Sequence, residues 1–266
     1  MKFEDKVKEL RIKKYQGKES AALLSDVIKM ARGEALEYLL GEVLFCGAKV
    51  DLSLRPMIPR YETEFWVKQA IEDILVTRRE FVLRTLDLFS GSGNVGLAVA
   101  KNIPEATIDF IEFDPKLKSG IEQSITRNNI KKIRTRVFTG NIWEGATGVY
   151  DVIFAVPPYV PKEMKEEVMQ ELKAEDSLAF FDKEDGYYYH KQVLSKAKDF
   201  LKPNGVLYLE FDITQREKIE HLVKEYGWQV YSFLQDPYGH DYVIKCSDNV
   251  LTSDISSRKD IKKKFS

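Results

Sequence analysis

Two short stretches of this 266-residue chain carry residue types suited to chemistry. The first is Asp87-Leu88-Phe89-Ser90-Gly91-Ser92-Gly93-Asn94-Val95-Gly96, in which Gly91, Gly93 and Gly96 satisfy G-x-G-x-x-G. Between a strand and a helix, such a turn brings backbone N–H groups close to a ligand, an approach that a Cβ would block. Dinucleotide-binding enzymes and methyltransferases share the pattern, and glycines that merely pack a helix on a strand also produce it. Glu112 follows Gly93 by 112 − 93 = 19 positions, where a carboxylate can accept the hydroxyl protons of a ribose. Asp114 is the alternative acid, and an exposed strand-end carboxylate is the plainer reading. Gly140-Asn141-Ile142-Trp143 offers Asn141 for the amino edge of an adenine and Ile142 for its face, or else an ordinary turn. The second stretch is Val156-Pro157-Pro158-Tyr159. Its two prolines fix φ and remove two backbone donors, so the loop presents carbonyl oxygens in a rigid frame with Tyr159 as a platform. That suits a planar group bearing N–H donors, as an amino-group methyltransferase requires. A Pro-Pro that simply ends a strand is the structural alternative.

These loops need a scaffold, and the periodicity supplies one. From Phe81 onward short apolar runs alternate with helical patterns, the signature of a mostly parallel sheet with helices on both faces. Strands are expected at Leu83–Phe89, Thr107–Glu112, Arg134–Phe138, Asp151–Val156, Val206–Phe211, Trp228–Phe233 and Asp241–Cys246. The last two follow one another without a helix, so one of them should run antiparallel. Upstream, residues 1–40 read as a short helical segment with Leu24, Val27, Ile28 and Ala31 on one stripe. Residues 41–80 read as a β-hairpin around Cys46-Gly47-Ala48, then a helix with Trp66, Val67, Ala70, Ile71, Ile74 and Leu75 on one side. Residues 81–246 form the catalytic unit, and 247–266 a loose polar tail. About forty N-terminal residues bury little alone, so that segment should pack on the chain downstream of it.

Composition narrows the function. Lys and Arg total 41 and Asp and Glu 42, a net charge of −1, which argues against a surface built to hold nucleic acid. The charged start, Met1-Lys2-Phe3-Glu4-Asp5-Lys6, lacks a secretory signal, and no apolar run approaches the length of a membrane span, so a cytoplasmic protein is expected. Cys46 and Cys246 read as reduced thiols, and three histidines leave few ligands for a metal. His190 and His240 are the available bases, but methyl transfer to nitrogen requires none. Tyr187-Tyr188-Tyr189 reads as a helix start packed on the sheet.

Over residues 36–246 the sequence resembles the protein-glutamine N5-methyltransferases of peptide chain release factors, class I enzymes that use S-adenosylmethionine. The resemblance is carried by Tyr38-Leu39-Leu40-Gly41-Glu42, Ile58-Pro59-Arg60-Tyr61-Glu62-Thr63-Glu64, Leu86 to Gly93, Glu184-Asp185-Gly186, Phe200-Leu201-Lys202-Pro203-Asn204-Gly205 and Asp236-Pro237-Tyr238-Gly239-His240-Asp241. It implies a Rossmann-like seven-stranded sheet with an antiparallel last strand. It further implies that Phe89, Ser90, Gly91, Ser92 and Gly93 wrap the methionine part of the cofactor, that Glu112 holds the ribose, and that Asn141 and Ile142 contact the adenine. Val156-Pro157-Pro158-Tyr159 then occupies the family's Asn-Pro-Pro-Tyr substrate clamp, with a release factor as the protein partner.

Four departures accompany the resemblance. The N-terminal segment is about half the usual length, Tyr61 stands for a proline, and Asn141 for an aspartate. Most consequential, Val156 stands for the clamp asparagine. An amide nitrogen is a poor nucleophile, and the family grips both its N–H bonds, one with the asparagine side chain and one with the first proline's carbonyl. Valine accepts nothing, and losing one preorganised partner typically lowers rate on the order of 10²–10³. The resemblance thus implies an impaired glutamine methyltransferase. Its rivals are a cofactor-binding protein that docks a translation factor and a nucleic-acid amino-methyltransferase.

Overall fold

The computed structural model describes residues 1–77, 82–164, 166 and 180–248. Phe81, the expected start of the catalytic unit, and residues 249–266 of the expected tail lie outside them. Seven strands form one sheet: β3 (Arg84–Leu88), β4 (Thr107–Glu112), β5 (Thr135–Thr139), β6 (Tyr150–Ala155), β7 (Leu201–Glu210), β8 (Val230–Gln235) and β9 (Asp241–Ser247). Their order is β5-β4-β3-β6-β7-β9-β8, and β9 runs antiparallel to both its neighbours. The chain leaves β3 toward one edge through β4 and β5, then returns to β6 on the other side. The carboxyl ends of β3 and β6 therefore flank a switch point, where α/β sheets bind their ligands.

Alternation along the strands builds two cores. Phe110, Phe154 and Tyr208 face one side, with α4 (Tyr61–Thr77), α5 (Asn94–Asn102) and α6 (Pro115–Arg127) supplying Trp66, Leu97 and Ile121. Leu86, Ile153 and Leu209 face the other, where α7 (Tyr188–Lys196) and α8 (Arg216–Glu225) bring Leu194 and Leu222. Leu75, expected on the buried side of α4, points outward, because the stripe of α4 is narrower than its apolar content.

Ahead of the sheet lie α1 (Phe3–Tyr15), α2 (Ala21–Ala31), α3 (Leu36–Leu40) and a hairpin of β1 (Glu42–Phe45) and β2 (Ala48–Asp51). The hairpin turns through Cys46 and Gly47, both at positive φ (45° and 78°), as a tight two-residue turn requires. It is fastened to α6, where Ser124 Oγ accepts from Asp51 N at 2.9 Å and Asn128 Nδ2 donates to Lys49 O at 2.7 Å. The three helices share a small core of Leu10, Leu23, Met30, Leu36 and Leu39. The stripe on α2 is rotated from the expected one: Leu23 and Met30 are buried while Leu24 and Ile28 are exposed. Asp26 turns inward with them because Lys14 Nζ and Tyr15 Oη each donate to it at 2.7 Å.

Two strands shift from their expected bounds by more than one residue. β7 begins at Leu201, not Val206, because Asn204 takes a positive φ of 65° and a register shift against β6 absorbs the extra residues. Trp228 precedes β8 and instead donates its indole N–H to Leu194 O at 3.1 Å.

Gly96 shows which glycine serves packing. A Cβ there would lie 2.9 Å from Ile108 Cγ2 and closer still to the Phe110 ring. Gly96→Ala is expected to destabilise the fold by about 1–3 kcal/mol, overpacking outweighing the gain in helix propensity; denaturant unfolding of both proteins measures it.

Candidate active site

The loop after β3 is left-handed at alternate residues, with φ of 58° at Phe89, 53° at Gly91 and 78° at Gly93. Phe89 bears this conformation despite its side chain, and hydrogen bonds hold it: Ser90 N donates to Ile111 O at 3.1 Å, and Ser90 Oγ to Asp87 O at 2.8 Å. The bend exposes the Gly91 N–H, which donates to Glu112 Oε2 at 2.6 Å, while Asp114 N donates to Glu112 Oε1 at 2.8 Å. The carboxylate at the end of β4 is thereby fixed against the glycine loop. Each of its oxygens keeps lone-pair capacity for a further donor.

These residues line one cavity of about 490 Å³, a volume typical of cofactor sites. Its walls include Phe89 to Ser92, Glu112, Asn141, Ile142, Val156 and Pro158, together with Leu54 to Arg60, Thr63, Asp87 and Tyr189. Gly93 supports the loop from beneath, where a Cβ would meet Ile121 at 3.1 Å. Ile142 is buried with a φ of 49°, and Asn141 is exposed, its backbone N–H donating to Glu144 Oε2 at 3.0 Å. Pro157 is buried behind the corner, and neither it nor Tyr159 is among the lining residues. Tyr159 is anchored rather than free to stack. Its hydroxyl lies 3.4 Å from Glu210 Oε1 and 3.1 Å from Tyr242 Oη, and its carbonyl accepts from Gln215 Nε2 at 3.2 Å.

Several participants escape a reading of sequence. Tyr189, expected to pack on the sheet, lines the cavity and meets Phe89 edge-on with ring centroids 5.4 Å apart. The buried Asp182 turns it there, accepting from Tyr189 N at 3.2 Å, Gly186 N at 3.2 Å and Glu184 N at 2.7 Å. His190 is fully buried, its ring nitrogens 3.2 Å from Gly186 O and 3.0 Å from Glu210 O, so it braces α7 rather than serving as a base. His240 lies in the β8–β9 turn with Nδ1 3.0 Å from Asp236 Oδ2. The N-terminal segment grips the cavity wall: Tyr38 Oη donates to Pro56 O at 2.7 Å, and Arg55 pairs with Glu34 at 2.9 Å.

Burial sets the electrostatics. Asp87 accepts from Gly96 N at 2.8 Å, yet burial pushes its carboxyl up to about 8, with the nearby Glu112 charge adding to the rise. Glu112 is raised by burial against the pull of the backbone amides of Asp114, Gly91 and Phe113. Burial likewise lifts Glu210 to about 7, although Trp66, Thr63 and Tyr159 all donate to it. His190 is lowered to about 4, again by burial.

The chain has relatives of known name. A family profile described as "Conserved hypothetical protein 95" matches residues 53–192. The release factor glutamine methyltransferase of Thermodesulfovibrio yellowstonii is 30% identical over 79% of this chain and 75% of its own length. The chain belongs to the release factor glutamine methyltransferase family. The member from Fusobacterium nucleatum is also 30% identical, over 82% of this chain, which spans only 61% of that protein. A 16S rRNA methyltransferase of T. thermophilus, solved with AdoMet and guanosine, shares the fold with a TM-score of 0.54 at 16% identity, over 78% of this chain and 50% of its own.

The family implies S-adenosylmethionine as methyl donor, and the cavity fits it in shape and charge. Gly91, at positive φ, lines the cavity with no side chain of its own, Ile142 gives an apolar face, and the acids Asp87 and Glu112 suit a ligand bearing hydroxyls and positive charge. Among the described residues no cluster suits a metal ion, and no helix is long and apolar enough to cross a membrane.

The raised acids predict how stability depends on pH. Groups with folded values above their unfolded ones stabilise fully below the unfolded value and lose that contribution as pH rises through the folded one. Stability should therefore fall between about pH 5 and 8, and Glu210→Gln, which keeps an acceptor oxygen, should flatten that decline. Unfolding free energies of both proteins across this range test it; a steeper decline in the variant contradicts it. His190 acts oppositely, stabilising above about pH 6.5 and losing that contribution as pH falls through about 4.

Proposed function

We propose that this protein transfers a methyl group from S-adenosylmethionine to the side-chain amide nitrogen of a glutamine in a peptide chain release factor, slowly for its family. What supports the reading most is that the glycine loop and the Val156–Pro158 corner face one cavity across the switch point between β3 and β6. A dehydrogenase has no use for a rigid corner there.

In this reading the chain's residues hold and orient. Phe89 to Gly93 wrap the methionine part, Glu112 takes the ribose hydroxyls, and Asn141 with Ile142 takes the adenine. Asp87, buried at the loop's base, favours a cationic ligand once ionised. Bound there, the cofactor supplies a methyl carbon that departs from sulfur without its bonding pair, so the nitrogen must provide the electrons and afterwards lose a proton. The glutamine amide enters beside Pro158, and the carbonyl of Pro157, a residue otherwise buried behind the corner, is the acceptor that the family resemblance assigns to one N–H. Tyr189 and Phe89 close the apolar side and exclude water. Valine at 156 leaves the second N–H without the family's usual acceptor, which lowers rate while sparing cofactor binding, since valine matches asparagine in bulk.

Radiolabelled methyl transfer to release factor, by the wild type and Val156→Asn side by side, tests this directly. Val156→Asn is expected to raise the rate on the order of 10²–10³ with little change in cofactor affinity. A variant that binds the cofactor but leaves release factor unmethylated rejects the reading. Cofactor and release factor binding without turnover by the wild type favours the docking alternative, which Val156 alone suggests.

A further inference from the structure

Thr63, in the first turn of α4, belongs to the cavity wall along with Val156 and Pro158. Its hydroxyl donates to Glu210 Oε2 at 2.8 Å, and Trp66 Nε1 donates to the same oxygen at 2.7 Å. A threonine hydroxyl has one hydrogen and two lone pairs. With that hydrogen directed at a buried carboxylate, the oxygen can only accept from anything else. The other carboxylate oxygen, Glu210 Oε1, holds the hydroxyl of Tyr159, so one acid anchors both Thr63 and the Pro-Pro-Tyr corner.

We propose that Thr63 Oγ1 is a catalytic acceptor that takes one N–H of the target amide, in place of a carboxamide side chain at position 156, and that Glu210 is the positioning residue that fixes its polarity. The inference rests on the amide-methylation reading above. It explains how a site with valine in the clamp can retain turnover. The amide enters beside Pro158, where two acceptors are needed for its two N–H bonds. The family resemblance makes the Pro157 carbonyl one, Val156 offers none, and among the polar residues that line the cavity with Val156 and Pro158 Thr63 has a hydroxyl oxygen already fixed as an acceptor. Acceptors held in advance at the nitrogen stabilise the positive charge that develops on its N–H bonds as the new N–C bond forms.

The groups facing Glu210 make its charge state sensitive. Tyr159 from the corner and Tyr242 from β9 lie against it, Glu62 of α4 and Asp212 after β7 add negative charge nearby, and His190 of α7 bonds its backbone carbonyl. When ionised, the carboxylate has acceptor capacity for all three donors, Thr63 and Trp66 on Oε2 and Tyr159 on Oε1.

A double-mutant comparison decides the matter. Thr63→Val is expected to lower kcat for release factor about 10²-fold, whereas Thr63→Ser, which restores the hydroxyl, stays within about threefold. KM for release factor and the calorimetric affinity for S-adenosylmethionine should change little. In the Val156→Asn background Thr63→Val should cost less than about tenfold, because the new amide supplies the missing acceptor. Thr63→Ala removes the same oxygen without setting a methyl group beside the carboxylate, and reads the same way if the valine variant does not fold. An equal loss in both backgrounds, or a loss traced to weaker cofactor binding, overturns the proposal. So does a wild type that is inactive while Val156→Asn is active, a result that leaves amide methylation standing. No transfer by either rejects amide methylation, and the role of Thr63 with it.

Discussion

A carboxylate whose hydrogen-bond donors are all neutral sits at the carboxyl end of β7, and the geometry of the cavity depends on it. Glu210 accepts from Thr63, Trp66 and Tyr159, and its backbone carbonyl meets His190. Those four residues come from α4, from the loop after β6 and from α7, three separate walls of one cavity. Burial disfavours the charge strongly, and ordinary hydrogen bonds offset only part of that penalty. The fold keeps an acid that works against its own stability, which is expected where geometry at a site is worth more than marginal free energy.

The glycine loop solves a related problem with backbone. Its alternating left-handed residues expose the Gly91 N–H, and Glu112 answers it. Phe89 bears the conformational cost of a positive φ with a side chain in place, and its ring then meets Tyr189 across the cavity. Gly96 has a different task, since its missing Cβ lets α5 settle on β4. One motif thus serves two purposes: Gly91 and Gly93 shape the loop, while the missing Cβ of Gly96 serves packing.

Much of the fold was legible because its signals are local. Near-continuous apolar strands, a Cys46-Gly47 turn and the antiparallel final pair all follow from pattern and turn chemistry. Where reading failed, a tertiary contact decided. α2 carries apolar residues on either side of its stripe, and only the approach of Lys14 and Tyr15 to Asp26 selects Leu23 over Leu24. β7 starts early because Asn204 can adopt a positive φ that few residues tolerate. In the site, the loop residues were visible by motif, but Glu210 in Tyr208-Leu209-Glu210-Phe211 reads as a strand-end acid. Its donors Thr63 and Trp66 lie 147 and 144 positions away.

The substitution at 156 is best understood against this division of labour. Tyr159 is held by its hydroxyl and carbonyl, and Val160 pairs with the 180–182 segment, Val160 N donating to Phe180 O at 3.0 Å and Asp182 N to Val160 O at 2.9 Å. The corner is therefore positioned from its far side, without help from the side chain at 156. An apolar residue there packs against the same core as Phe154 and Val152 and disturbs none of these bonds. The shape of the corner, set by Glu210, Gln215 and Asp182, therefore does not depend on the chemistry of the side chain at 156, so outline and side-chain chemistry are separable here.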